Sequence, residues 1–351
     1  MATSKEVARR AGVSIGTVSN VLSGNVTVSP DLRERVAAAI RDLDYHPNHV
    51  ARSLKVKNTK TLGMVISDIT NPFFPLLVRG AEDAAFAHGY LLITFNTDDR
   101  VERERQVLSL LRSRRVDGLL LVVAPNDGDI EHIRSTVEAG IPIVCLDRIL
   151  PGIALDSVSV DNVKGSRMCV HHMILRGHRH IAIITGSLGL QTAKDRLRGY
   201  ELALRDAGFK VEPDLVCEGD FREQTGYKLG KNLLLSRKRP TAIFVSNGMM
   251  TLGVLQALEE IGLKCPDDVA IATFDDLPVS EVFRPHLTSV AQPTYQIGHA
   301  GANLLIERLQ GKQSSRKRIN LVLEPDLRIR ESSGRPPQPT AVRVKSTRLH
   351  N

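Results

Sequence analysis

Residue patterning points to a small all-α helix-turn-helix head followed by an α/β body of two similar lobes with parallel sheets. Three observations lead there. Residues 1–60 hold short helical patterns around a tight glycine turn and carry 10 Lys/Arg against 5 Asp/Glu. The body is near neutral and alternates apolar strand runs with helical segments. It also repeats itself: Leu62, Gly80 and Gly89 correspond to Ile181, Gly199 and Gly208 at one constant shift of 119 residues. At 351 residues, with 42% hydrophobic and 25% charged side chains, the chain is long enough for two or three domains with cores of their own.

The first helix opens on a capping box, Thr3 with Glu6, and runs through "SKEVARRA", where Val7, Ala8 and Ala11 share a face. It ends at Gly12. "GVS" makes a tight turn, and Ser14 can cap a second helix from Ile15 to Leu22. Val18, Val21 and Leu22 fall on one face of that helix, while Ile15, Gly16, Ser19 and Asn20 fall elsewhere. A third helix starts with Ser29 as its cap and Pro30 at the first helical position, and carries Leu32, Val36, Ile40 and Leu43 on one side. Val7, Val13, Val18 and Leu22 would form the core of the unit.

In such a unit the second helix lies in the DNA major groove with its N-terminal residues at the base edges. A glycine inside a helix costs about 1 kcal/mol against alanine, and Gly16 has a reason to be there if the backbone must come close to DNA. Ser14 and Thr17 would hydrogen-bond phosphates, Ile15 would touch a thymine methyl, and Asn20 would reach adenine N6 and N7. The helix pattern alone leaves open a three-helix protein-interaction module with a merely polar face. A basic head on a neutral body favours a polyanion.

Residues 45–55, "YHPNHVARSLK", have Pro47 to start a turn of helix and Val50, Ala51 and Leu54 on one side of it. It is too short to be stable alone. "SKEVARRAGVSIGTVSNVLSG" followed by this segment resembles the head and hinge helix of the lactose-repressor (LacI) family of bacterial transcription regulators. The resemblance implies a homodimer on a palindromic operator of double-stranded DNA, with the hinge helices of two subunits paired in the minor groove. It places Val50 and Leu54 against DNA, Leu54 as a wedge between central base steps that kinks the duplex, and Lys55 by the backbone. Gly16 and Asn20 stand where larger or basic side chains often occur, so the operator does not carry over from a relative.

In the body, "LGMVISD" from Leu62 is a buried-strand run followed by the helix "GAEDAAFAHGY"; "IAIITGS" from Ile181 is followed by "GYELALRDAGF". "DGLLLVVA" then pairs with "TAIFVSNG", and "IPIVCLD" with "VAIATFD". Two open parallel sheets with helices on both faces follow. Neither first strand leads into G-x-G-x-x-G, which argues against a dinucleotide fold.

Ligands of open α/β sheets bind beyond the carboxyl ends of the strands. There stand "DITNPFF" (68–74), "LDR" (146–148), "AKDRLRG" (193–199), "SNG" (246–248) and "FDD" (274–276). Asp147 and Asp275 are counterparts under the repeat, each ending the fourth strand of its lobe. Arg148 and Arg196 offer rigid donor forks, Asn71 and Asn247 amides, and Phe73 and Phe74 flat apolar faces. Such groups suit a hydroxyl-rich ligand, with aromatic faces for the C–H side of a sugar ring. Each also has a structural alternative: a strand-end ion pair for Asp147 and Arg148, helix-start core for Phe73 and Phe74, a turn cap for Asp275. So many together on cleft loops favour ligand binding.

Residues 61–330 also resemble the LacI-family effector domain and the type I periplasmic sugar-binding proteins. The resemblance implies lobes that exchange strands, the first 61–161 with 294–323 and the second 162–293 with 324–330. It puts ligand positions at Asn71, Phe73, Phe74, Asp147, Arg148, Arg196, Phe221, Asn247, Asp275 and Gln292, a set closest to ribose-type binders, hence a pentose or hexose effector. Two positions depart: Ala124 stands where such binders often have a polar residue, and Gly248 replaces the usual aspartate.

The four cysteines are scattered with no CxxC, which argues against a zinc site or disulfide framework and fits a reducing cytoplasm. His171, His172, His178 and His180 have no carboxylate or cysteine beside them and read as solvated, not metal-bound. No metal and no cofactor are expected. Residues 331–351, proline-rich and carrying 4 Lys/Arg against 1 Asp/Glu, read as a disordered tail without leucine heptads. No apolar run approaches the roughly 18 residues of a membrane span, and the N-terminus lacks a signal-peptide core. A cytoplasmic location is expected.

The resulting organisation is a head at 1–46, a hinge and linker at 47–60, and an effector and dimerisation body at 61–330. It describes a non-enzymatic, sequence-specific transcription repressor under allosteric control by a sugar-like effector, which changes the relation of the two lobes. A sugar-binding transport protein is the first rival, opposed by the basic head and the missing signal peptide. An enzyme on sugars or nucleosides is the second, and would need a partnered base, a metal cluster or a phosphate loop.

Overall fold

The computed structural model describes residues 2–22, 28–45, 59–126, 128–282, 284–311 and 317–334. The expected hinge helix, with Val50, Leu54 and Lys55, and residues 335–351 of the expected tail lie outside the described residues; the first residues of that tail depart from the disordered reading, for Glu331–Ser333 form a 3-10 turn with Ser332 and Ser333 buried. The chain divides into two units, Met1–Thr59 and Lys60–Asn351.

The head contains α1 (Ser4–Ala11), α2 (Ile15–Leu22) and α3 (Pro30–Asp42). The capping box forms: Thr3 N donates to Glu6 Oε2 at 2.7 Å, and Glu6 N to Thr3 Oγ1 at 3.3 Å. Gly12 ends α1 at φ 64°, and the Arg35 guanidinium fastens this turn to α3 by donating to Ala11 O at 2.7 Å and Gly12 O at 3.3 Å. Ser14 Oγ accepts from Thr17 N at 3.0 Å and so caps α2. Ser29 does not act as expected, for its side chain makes no cap bond; α3 starts instead on the fixed φ of Pro30, with Asp31 in its first turn favoured by the helix dipole. Val7, Val18 and Val36 are fully buried at the centre, with Ala8, Ala11 and Ala39 around them.

The body contains two six-stranded sheets. The first is formed by β1 (Thr61–Ile66), β2 (Leu91–Asn96), β3 (Gly118–Leu121), β4 (Ile143–Leu146), β5 (Asp156–Val160) and β11 (Asn320–Leu323). Its order is β11-β5-β4-β3-β1-β2, and all neighbours are parallel. The second is formed by β6 (Ile181–Thr185), β7 (Val216–Glu218), β8 (Ala242–Val245), β9 (Ala270–Phe274), β10 (Thr288–Ala291) and β12 (Asp326–Arg328). Its order is β12-β10-β9-β8-β6-β7, with β12 alone antiparallel.

Period-two alternation sends residues of each central strand to cores on opposite faces. Leu62, Met64 and Ile66 of β1 pack with α4 (Phe73–Ala87) and α11 (Thr294–Leu309), while Val65 packs with α5 (Val101–Ser113) and α6 (Glu131–Glu138). In the second sheet Ile181 and Ile183 face α7 (Asn162–Leu175) and α8 (Gln191–Asp206); Ala182 and Ile184 face α9 (Glu223–Leu235) and α10 (Gly248–Ile261). The chain passes between the lobes after β5, after β10 and between β11 and β12.

The 119-residue repeat has a physical counterpart. A Cβ on Gly80 would lie 2.1 Å from Tyr295 O of α11, and one on its counterpart Gly199 would lie 2.4 Å from Val163 O of α7. Both glycines let two helices touch backbone to backbone.

His178 departs from the solvated reading. It is fully buried, and its ring nitrogens contact Thr241 Oγ1 at 3.1 Å and Gly334 O at 2.5 Å, clasping the end of the described chain to the second lobe. Burial pushes its pKa down, against the pull of Gly334 O. Among the described residues no cluster suited to a metal occurs, and no helix is long and apolar enough to cross a membrane.

Candidate functional site

A cleft of about 360 Å³ lies between the lobes at the carboxyl ends of their strands. All ten residues singled out for it line it: Asn71, Phe73, Phe74, Asp147 and Arg148 from the first lobe, and Arg196, Phe221, Asn247, Asp275 and Gln292 from the second.

The two aspartates match in backbone as well as in position. Asp147 follows β4 at φ 62° and donates its N–H to Val158 O at 2.9 Å; Asp275 follows β9 at φ 78° and donates to Val290 O at 3.0 Å. Left-handed backbone is tolerated better by aspartate than by most residues, and here it turns the chain sharply at the cleft wall. Their side chains differ. Asp275 accepts from Gly248 N at 3.2 Å and from Gln292 Nε2 at 2.6 Å, so it ties two strand-end loops together. Asp147 is only 8% exposed and its Oδ1 has no partner. Burial pushes the Asp147 carboxyl up, with Arg196 and Arg148 pulling the other way.

Both arginines are buried and held by the protein. Arg148 donates to Asp99 Oδ1 at 2.6 Å and to Val123 O at 2.8 Å, while its Nε lacks a partner. Burial alone would raise the Asp99 carboxyl, but the charge and hydrogen bonds of Arg148 hold it below the usual carboxylate range. Arg196 donates from Nε to Asn162 Oδ1 and from Nη1 to Ser246 O, both at 2.7 Å, with its plane 3.8 Å from the Phe274 ring centroid. Their forks are thus positioned before any ligand arrives.

The amides serve local structure as well. Asn71 Oδ1 accepts from Phe73 N at 3.1 Å at the start of α4, and Asn247 caps α10 by accepting from Met250 N at 2.9 Å. Asn247 Nδ2 also donates to Phe221 O at 3.0 Å. Phe73 and Phe74 meet edge to face at 5.2 Å; Phe74 belongs to the core and Phe73 is half-buried. Phe221 sits at φ 67°, and its ring fills space that a Cβ on Gly186 would occupy, 2.1 Å away.

Sequence reasoning missed Asp99, Thr192 and Arg222, which also line the cleft. Arg222 reaches across from the second lobe to donate to Asp98 O at 3.0 Å. Consecutive left-handed residues, Asp98 at φ 54° and Asp99 at φ 58°, form that turn. Two aspartates after a strand were the only available signal.

In the head, Ser14, Ile15, Gly16 and Asn20 are exposed on or beside α2, Thr17 is half-buried and Val18 points into the core. Ile15 is 52% exposed, a large apolar side chain left in solvent at the helix start. Ser14 and Thr17 hydroxyls share a 2.9 Å bond. A Cβ on Gly16 would meet nothing nearer than Ser14 Oγ at 3.6 Å, so packing does not demand glycine there. Arg10, in the basic head, pairs with Asp42 at 2.9 Å.

Residues 3–48 match the family described as bacterial regulatory proteins, lacI family, and residues 170–333 match the periplasmic binding protein-like domain. The chain is 36% identical over 333 residues to the HTH-type transcriptional repressor PurR of Haemophilus influenzae (strain PittEE), covering 95% of this chain and 98% of that protein. Among solved structures it is similar to a complex of the transcriptional regulator CelR with cellobiose, at 34% identity and TM-score 0.72, over 95% of this chain and 100% of that one. It is also similar to the lac repressor dimer bound to operator and the anti-inducer ONPF, at 28% identity and TM-score 0.83, over 95% and 99%. A LacI family transcriptional regulator from Enterococcus faecium with bound ribose matches at 28% identity and TM-score 0.70, over 79% and 100%.

Proposed function

Because this chain belongs to the LacI family of bacterial regulatory proteins, DNA-binding transcription repressors that work in the cytoplasm and are not enzymes, we propose that its interlobe cleft takes a small sugar, a pentose or hexose, as the effector. One observation carries the reading: the cleft keeps buried polar atoms without partners, namely Asp147 Oδ1, Arg148 Nε and Gln292 Oε1. Leaving such atoms unsatisfied costs roughly 1–3 kcal/mol each, a cost that a hydroxyl-rich ligand removes. Phe73 and Phe221 supply apolar ring faces beside them. Relatives of known structure hold cellobiose and ribose, and the ten-residue set resembles the pattern of ribose-type binders.

A ligand held by Asp147 and Arg148 of one lobe and by Arg196 and Asp275 of the other bridges the lobes and favours their closed arrangement. Operator binding and effector binding are then coupled, each altering the other by the same factor. In the head, Ser14 and Thr17 serve phosphates, and Ile15, Gly16 and Asn20 face the bases; in the hinge, Val50 and Leu54 lie against DNA, Leu54 as the minor-groove wedge, with Lys55 by the backbone. The lac repressor neighbour is a dimer on its operator. A homodimer of this chain would also cover Leu91, Ile93 and Phe86, which are 67%, 45% and 78% exposed on β2 and α4.

A thermal-shift screen of pentoses, hexoses, purines and amino acids tests the effector class, followed by calorimetry on the best hit. Stabilisation by sugars supports the reading; stabilisation by purines or amino acids alone would replace it while leaving the regulator intact. Sequencing genomic fragments retained by the protein identifies the operator.

A further inference from the structure

The charge around the cleft distinguishes two forms of the same sugar. Its lining holds seven carboxylates against three arginines and has no lysine or histidine, an excess of four negative charges. Arg103 at the rim pairs with Asp98 and offsets only one of them. The arginines are engaged: Arg148 with Asp99 and Val123 O, Arg196 with Asn162 and Ser246 O, and Arg222 with Asp98 O.

Two helix N-termini at the cleft, those of α4 and α10, places where anions usually bind, are closed by the cleft's own side chains, while those of α8 and α9 have no side-chain cap and α9 opens on the carboxylate Glu223. Asn71 Oδ1 takes Phe73 N of α4; Asn247 Oδ1 and Asp275 Oδ2 take Met250 N and Gly248 N of α10. Of the three unpartnered buried atoms in the cleft, Asp147 Oδ1 and Gln292 Oε1 are acceptors, suited to hydroxyl donors and repellent to a phosphate, and the one donor, Arg148 Nε, lies 3.8 Å from the Asp147 carboxylate.

We propose that the effector is an uncharged sugar and that the cleft rejects its phosphate esters. This rests on the sugar reading of the cleft and narrows it. A phosphate monoester carries about 1.5 to 2 negative charges at pH 7, and its introduction sets charge against charge, a device for rejecting a near-identical ligand. The regulator then reads the free sugar, and a phosphoryl transfer from a nucleoside triphosphate to a sugar hydroxyl, releasing the diphosphate, removes the signal.

Calorimetry on the full chain compares D-ribose and D-glucose with ribose 5-phosphate and glucose 6-phosphate. Whichever sugar binds should bind at least about thirtyfold more tightly than its phosphate, the effect of one uncompensated like charge at about 8 Å in an effective dielectric of about 20. The gap should narrow severalfold between about 50 and about 500 mM salt, and also in Glu223→Gln, which removes one rim carboxylate. A phosphate that binds as well as its parent sugar overturns the inference and leaves the sugar reading standing. A gap unmoved by both salt and Glu223→Gln makes the rejection steric and overturns it equally. If no sugar or phosphate binds, while a purine or amino acid does, the sugar reading falls and the inference with it.

Discussion

Replacing Asp147 with asparagine should make the unliganded protein more stable and the liganded one weaker. Its Oδ1 is buried without a partner, Oδ2 lies 3.8 Å from Arg148 Nε, and Arg148 and Arg196 spend their other donors on Asp99, Val123 O, Asn162 and Ser246 O. Burial pushes the carboxyl up more than the two arginines pull it down. A carboxyl that is harder to ionise folded than unfolded contributes stability at low pH, and loses it as pH rises from the unfolded value, about 3.9, through the raised folded one. The amide keeps the shape, removes the charge and tolerates the left-handed backbone. The variant should therefore gain about 1 kcal/mol at neutral pH, roughly 2 °C in Tm for a body of this size, and gain nothing at pH 3. Effector affinity should fall about ten- to hundredfold, since a hydrogen bond to a charged group is worth roughly 1.5–3 kcal/mol. Differential scanning calorimetry across pH, with isothermal titration of the best sugar, reads both quantities. A lower Tm at pH 7 together with unchanged affinity would refute the view that Asp147 is held under strain for a ligand.

Gly16→Ala should raise the melting temperature of the head, since the helix gains about 1 kcal/mol and the new methyl clashes with nothing, yet should weaken operator binding at least tenfold; undiminished binding in a gel shift would remove α2 from the groove. Gly298→Ala should destabilise the body by about 3 kcal/mol, the upper end for overpacking, because its Cβ would lie 2.0 Å from Leu77 O; an unchanged denaturation curve would show that α4 and α11 can separate freely. Arg222→Ala should speed effector release about fivefold, by the loss of roughly 1 kcal/mol from its bond to Asp98 O; stopped-flow rates equal to those of the parent would show that this contact does not hold the lobes closed.

What was readable in the chain is what depends on neighbours in sequence or on periodicity. The Thr3–Glu6 box spans three residues, the six central strands β1, β3, β4, β6, β8 and β9 follow from apolar runs, and Gly80 and Gly199 appear at matching places in a repeat; the polar edge strands, such as β7 and β12, give no such run. Asp147 and Asp275 stand out because each ends a strand of the same rank. Groups whose role is set by a distant partner were not readable. Asp99 acts on Arg148, 49 positions away, and Arg222 on Asp98, 124 away. Arg35 secures the turn at Gly12 through 24- and 23-residue separations. His178 looked solvated beside Gly177 and Arg179, and is buried between Thr241, 63 residues on, and Gly334, 156 residues on. Ser29 carried a cap's identity without making a cap's bond, a difference that lies in side-chain geometry and not in residue type.

The head is proposed to read DNA and the body to bind a sugar, with the two events coupled. Salt-titrated fluorescence anisotropy of the full chain on its selected genomic site, with and without the sugar found by thermal shift, tests this most directly. If two heads and their hinges neutralise six or more phosphates, affinity should drop on the order of a thousandfold between about 50 and 200 mM salt, and saturating sugar should shift the whole line by about five- to 150-fold in one direction. A flat salt response would contradict the DNA reading, and two superimposed lines would contradict the coupling.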